Sequence, residues 1–426
     1  MIVYLICYAA SWIFARFGLY YLSGAALFLA AGYLYVYDYR RSGNLIHLRG
    51  LFSCFWVGGQ GAACLKLSKL QTDWVLQTWI CFFLALVGFW ITFEVLDRLM
   101  GGNERFTMNR YRQRSTVRPL FFCIVGLTVI SAAAFVTEAV VLGFIPVLVR
   151  GVPHAYSAFH MTGLHYVTVS CVLIPAMTVL YFEQGGSRSG RKNGLIVLCV
   201  LVSVAIPILC VSRFQLVFAV ILAVFTFCAS QKNVSPWLFV AAVVALIPCY
   251  VLLTAARSHD VTYLNGIFEM KNSRMPIFVS QPYIYIANNY ENFDCLVKAL
   301  PAHTWGIRML FPVWALTGLK FLYPYLVSFP IYVDKTELTT VTLIYDAYYD
   351  FGIIGVLVFA CILGAVCFFL VEKLREMKNP MGYLFYGQMA IYMMLSFFTT
   401  WFSNPTTWFY FLVTAVLTFY CSVSRR

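Results

Sequence analysis

The sequence predicts an all-α polytopic membrane protein of about twelve transmembrane helices, and three observations carry that prediction. Of 426 residues 62% are apolar and only 11% charged, with a mean hydropathy of +0.80, whereas an ordinary soluble domain has about 25% charged residues. The apolar residues gather in runs close to the roughly 20 residues a helix needs to cross hydrocarbon. The basic residues concentrate in every second connection between those runs. One membrane domain, 1–426, is the economical reading.

The runs fall at 1–14, 18–37, 46–66, 74–96, 119–142, 162–182, 194–212, 214–231, 237–255, 352–371, 382–401 and 407–422. The first, MIVYLICYAASWIFARF, lacks a basic leader and a small-residue cleavage site, so it reads as a retained helix. Basic connections carry Arg40, Arg41 and Arg49, then the cluster from Arg98 to Arg118, then Arg188, Arg191 and Lys192, then Lys232, then Lys373, Arg375 and Lys378, and finally Arg425 and Arg426. Cytoplasmic loops carry the Lys/Arg excess. Twelve spans with both termini cytoplasmic put eighteen of the thirty basic residues inside. The expected location is a bacterial inner (cytoplasmic) membrane, and a net charge of +13 distributed in this way points to membrane lipids, not nucleic acid.

Segment 256–351 is expected to be a large periplasmic loop between spans nine and ten. Within it, 307–326 is apolar but interrupted by Lys320 and two prolines, and reads as an interfacial helix, since a crossing there would invert every later loop. Fourteen cysteines are scattered mostly through apolar runs, with no CxxC or other zinc spacing, so neither a disulfide framework nor a metal site is expected. GGQGAA (58–63) lies inside an apolar run without a preceding strand; small residues that let helices approach explain it better than a nucleotide loop. There is no Walker loop and no Asp-x-Asp.

Ionisable residues near or inside apolar runs ask for an explanation, because they are costly in hydrocarbon. Glu138 lies in the outer half of the fifth run, Arg213 joins the seventh and eighth, Arg150 follows the fifth, and Arg257 follows the ninth. The alternating topology brings all four to the outer face. Arginine's planar fork suits phosphate oxygens, so an anion site for a lipid diphosphate is one reading; snorkelling anchors, with Glu138 paired to Arg213, is the other. Five of six histidines, His154, His160, His165, His259 and His303, also fall on that side, without metal-ligand spacing. The long loop mixes Tyr285, Asn289, Tyr290, Tyr345 and Tyr349 with Lys271, Arg274, Lys298 and Arg308. Aromatic faces with polar tips suit sugar rings, although part of this set belongs to an interfacial aromatic belt.

Several stretches together resemble the bacterial oligosaccharide repeat-unit polymerases, the Wzy-type O-antigen or capsule polymerases. They are FWVGGQGAACLKLSKLQTDWVLQTW (55–79), TEAVVLGFIPVL (137–148), FHMTGLHYVTV (159–169), VSRFQLVF (211–218), YIYIANNYENFD (283–294) and TTVTLIYDAYYDFGIIGV (339–356). The resemblance implies a C-type glycosyltransferase-like fold and the transfer of a growing glycan between undecaprenyl-diphosphate carriers, without cofactor or metal. It implies that Arg213 and Arg257 hold the diphosphate, with Arg274 and the TLIYDAYYDFG segment contributing from the loop, and that a chain-length regulator and a flippase are possible partners. Inversion at an anomeric carbon needs a positioned hydroxyl and a group to take its proton, for which Glu138, His165 and Asp350 are candidates; Asp350 could instead cap the tenth span. An O-antigen ligase or a lipid-linked oligosaccharide flippase are the competing readings, although no internal repeat of the kind common in transporters is visible.

Overall fold

The structure, a computed structural model, describes residues 1–100, 117–149, 155–231, 235, 237, 241, 244, 261–272, 274–375 and 377–423. The chain is all-helical in its described residues apart from one isolated bridge, Ser68 with Met270. Its main helices are α1 (Ile2–Arg16), α2 (Tyr20–Ser42), α3 (Leu48–Cys64), α4 (Leu76–Leu99), α5 (Val117–Leu142), α6 (Leu164–Glu183), α7 (Gly190–Leu209), α8 (Arg213–Ser230), α9 (Val261–Phe268), α10 (Ile277–Ala299), α11 (Tyr345–Arg375), α12 (Gly382–Met394) and α13 (Pro405–Val423).

Seven of these, α4 to α8, α11 and α13, are long and apolar enough to cross a membrane. This is the polytopic helical architecture the composition requires, since only intra-segment hydrogen bonds satisfy a backbone in lipid. α1, α3 and α12 are shorter, and α2, with 23 residues, is made less apolar by six tyrosines, Asp38, Arg40 and Arg41. The apolar run 237–255 lies almost wholly outside the described residues. Segment 307–326 forms no spanning helix and not one long interfacial helix either. It breaks into Phe311–Leu316 and Leu319–Leu322 at Gly318, whose φ of +78° ends the first piece.

The chain packs as two compact units. The first comprises Met1–Phe106, Asp260–Glu372 and Tyr392–Thr407; the second comprises Thr107–His259, Lys373–Ile391 and Trp408–Arg426. In the first unit α1, α2 and α3 stand side by side. Ser11 and Ser23 share a hydrogen bond of 2.8 Å, and a Cβ on Gly24 would come within 2.8 Å of the Gly61 carbonyl oxygen. That close approach accounts for GGQGAA as a packing surface. Arg49, counted from sequence as a loop charge, is buried in the first turn of α3. It donates to Asp38 at 2.5 and 2.9 Å and to Glu94 at 2.8 Å, and stacks on the Trp90 ring at 4.2 Å.

The long segment before the last helices is largely structured. α10 lies against the connection between α3 and α4: Tyr283 accepts from the Leu67 amide and donates to Gln71, and Asp294 accepts from the Val75 amide and Thr78. In the second unit α5, α6, α8 and α13 surround a common core. The Ser131 and Ser170 hydroxyls meet at 3.2 Å, Tyr410 donates to the Val169 carbonyl, and Phe218 packs on Tyr410.

Candidate functional site

The second unit holds a carboxylate–imidazole pair. Glu138, in the last part of α5, is fully buried, and its two oxygens receive three groups, one from just before α6 and two from its first turns. The Met161 amide donates at 3.0 Å, Thr168 Oγ1 donates at 2.7 Å, and His165 Nδ1 lies 3.2 Å from both oxygens. Thr168 and His165 sit one turn apart on α6, so the helix itself sets their spacing. His165 is partly exposed, at 19%, and its ring lies 5.1 Å from that of His160. With Nδ1 directed at the carboxylate, the tautomer that leaves a lone pair on Nε2 is favoured, and a buried carboxylate thereby orients an imidazole as a base.

Arg213 belongs to the same unit and opens α8. The turn before it is tight. Val211 has a φ of +53°, Ser212 N donates to the Pro207 carbonyl, and Val211 and Leu216 pack with Val147 and Val204. Val147 lies in the short turn Pro146–Leu148 that follows α5, so the end of α5 and the α7–α8 turn are fastened together. The sequence motifs TEAVV, HMTGLHYVTV and VSRFQ thus converge in one unit. Arg150 and Arg257 lie outside the described residues.

The remaining candidates belong to the first unit. Asp350 is fully buried and accepts from Thr304 Oγ1, from the Arg308 amide at 3.2 Å and from the Met309 amide at 2.7 Å. Its acceptor capacity is spent on fastening the 304–309 turn to α11. Tyr345 is also buried; its hydroxyl takes the Tyr332 amide and donates to the Tyr332 carbonyl. Tyr349 packs against Phe329 and Tyr332. Asn289 and Tyr290 are fully buried in α10: Asn289 bonds to the Tyr285 and Phe397 carbonyls and to Thr340, while Tyr290 donates to the Trp56 carbonyl. Expected as glycan contacts, these two have their polar groups committed to the interior. Tyr285 is half-buried against Phe398, and Arg274 is exposed.

Two pairs in this unit were not singled out from sequence. Arg308 is three-quarters enclosed or more, with Nε on Asp346 and its guanidinium 5.3 and 4.6 Å from the Tyr345 and Tyr349 rings. Burial works against its charge, but Asp346 outweighs burial and its pKa rises. Lys66 donates at 2.5 Å to Glu291, which also accepts from Trp74 Nε1 at 2.8 Å and the Thr72 amide at 3.1 Å. Burial raises the Glu291 pKa, and Lys66 opposes that rise. Their partners are 225 residues apart in sequence, and no local pattern signals such a pair. Among the described residues no cluster of His, Cys, Asp and Glu could hold a metal ion. No protein family, curated protein or solved structure matches this chain.

Proposed function

We propose that the chain is a metal-independent glycosyltransferase with twelve spans and both termini in the cytoplasm, which joins lipid-diphosphate-linked oligosaccharide repeat units at the outer face of a bacterial inner membrane. The observation that carries the reading is the Glu138–His165 pair in the same unit as Arg213. In this reading His165 Nε2 takes the proton from the acceptor hydroxyl as it attacks the anomeric carbon, Glu138 holds the imidazole, and Arg213 neutralises the departing diphosphate. The sequence resemblance supplies the substrate class, undecaprenyl-diphosphate-linked oligosaccharide. Arg308, a partly exposed cation against the Tyr345 and Tyr349 rings, is a second group suited to a phosphate or a sugar.

The test is complementation of a strain that depends on this chain for surface polysaccharide. Arg213→Ala is expected to collapse the polymer ladder to single repeats, and Arg213→Lys to restore it only in part because two-pronged contact is lost. A full ladder with Arg213→Ala would remove the anion site from the reading. Complete loss of glycan from the lipid anchor would indicate a ligase, and loss of outward-facing lipid-linked units a flippase.

A further inference from the structure

A cleft of about 870 Å³ lies between α2 and α4 in the first unit, and its lining includes no residue of the proposed chemistry. It is lined from α2 by Gly32, Tyr33, Val36, Tyr37, Arg40 and Arg41, and from α4 by Glu94 and Arg98. On α2 these positions recur three and four residues apart, so they form one stripe along the helix. The stripe is graded: an open, exposed apolar stretch from Gly32 to Tyr37 leads into arginines. Tyr33 and Tyr37 stack at 6.4 Å, and Tyr37 leans on Trp90 at 6.0 Å, which makes a firm aromatic wall.

The charges at the basic end are unequally committed. Arg41 is held by Glu94 at 3.2 Å and Asp97 at 2.7 Å, and Arg49 by Asp38 and Glu94. Arg98 is 77% exposed and reaches Glu94 only at 3.3 Å along its own helix, a weak surface pair. Arg40 is exposed and has no ion-pair partner among the described residues. Four arginines therefore face Asp38, Glu94 and Asp97, which leaves one positive charge in excess, at the mouth of a cleft beside α4, a helix long and apolar enough to cross a membrane.

From this grading we infer that the cleft binds an anionic glycerophospholipid, with an acyl chain along Gly32, Tyr33, Val36 and Tyr37 and the phosphate between Arg40 and Arg98. Charge complementarity selects the anionic headgroup, and the apolar stretch selects a lipid over a free anion. The volume is within the range of small-molecule sites.

Native mass spectrometry of the full-length protein in detergent, with phosphatidylglycerol, phosphatidylcholine or inorganic phosphate added, tests this. The wild type is expected to retain phosphatidylglycerol preferentially. Arg40→Gln and Arg98→Gln should each weaken retention about five-fold, whereas Arg40→Lys keeps most of it. Gly32→Trp should also abolish retention without changing charge, since a Cβ there meets nothing within 4 Å and the indole fills the cleft instead of disturbing the fold. Equal retention by wild type, Arg40→Gln and Gly32→Trp would overturn the inference. So would displacement of the lipid by inorganic phosphate at matched concentration, which would leave an anion site without a lipid.

Discussion

At the scale of single residues, the second unit separates groups that act on one another from groups that merely stand in a motif. Glu138 receives three donors and His165 keeps Nε2 unbonded among the described residues, so their substitutions should differ. His165→Asn removes the base, and its expected effect is a loss of about 10²- to 10⁴-fold in transfer rate. Glu138→Gln leaves a base but lets the amide favour the wrong tautomer, and a loss of similar order with a shifted pH profile is expected. Both are read from repeat-unit polymerisation in isolated membranes; a wild-type rate with His165→Asn would exclude it as the base. The buried Lys66–Glu291 pair makes a different prediction, about stability. Lys66→Met alone should cost about 3–5 kcal/mol by leaving a carboxylate buried without its partner, while Lys66→Met with Glu291→Leu should recover much of that. The sign of its pH dependence follows from burial. The folded pKa of Glu291 lies above its ordinary value near 4.5, so the folded state binds the proton more tightly, and this group's contribution falls as pH rises from 4.5 through the folded value. Thermal unfolding against pH in the wild type and Glu291→Gln checks it: the variant should lose that downward component. Glu138 and His165 were legible in the sequence because an ionisable residue stands out in or beside an apolar run. Lys66 and Glu291 were not, because each gains its meaning only from the other, far along the chain, and Arg308 was visible only as one of the loop's basic residues, without its partner Asp346.

At the scale of elements, apolar periodicity located most helices because a membrane span must satisfy all its backbone groups internally and has little freedom in length. α5, α7 and α8 coincide with apolar runs almost end to end. α10 escaped, since its buried residues mix Tyr283, Ile284, Ala287, Tyr290, Phe293 and Leu296 with Asn288, Asn289, Glu291, Asn292 and Asp294, and that mixture dilutes the apolar signal. α11 shows how a local residue divides an element. Its first two turns, Tyr345 to Phe351, hold the 303–310 segment, and the apolar run begins at Gly352, which has a φ of +62° and a ψ of −146°. A Cβ at Gly352 would also lie 2.9 Å from His303 Nε2. Gly352→Ala is therefore expected to destabilise by about 1–3 kcal/mol from backbone strain alone. Adding His303→Ala should relieve the contact and leave the strain, so the double variant should recover only part of the lost unfolding temperature. Full recovery would place the whole cost in the side-chain contact.

At the scale of the whole molecule, charge asymmetry sets which side each connection faces, and α4 offers a place to check it within one unit. Its 24 residues extend about 36 Å at 1.5 Å per residue, enough to cross the hydrocarbon core. Lys271 is tied to the entering side of that helix, its amide bonded at 2.9 Å to the Leu67 carbonyl, and Arg98 lies in the last turn at the far side. Both side chains are exposed. If α4 crosses the membrane, single cysteines at these two positions must label from opposite sides, whatever the orientation. The Lys/Arg rule then fixes the sense: in a cysteine-free background, Lys271→Cys should react with an impermeant maleimide added to intact cells, and Arg98→Cys only after the membrane is opened. The reverse result would invert the orientation. Labelling of both from one side would show that α4 does not cross, and the count of twelve spans would fall with it.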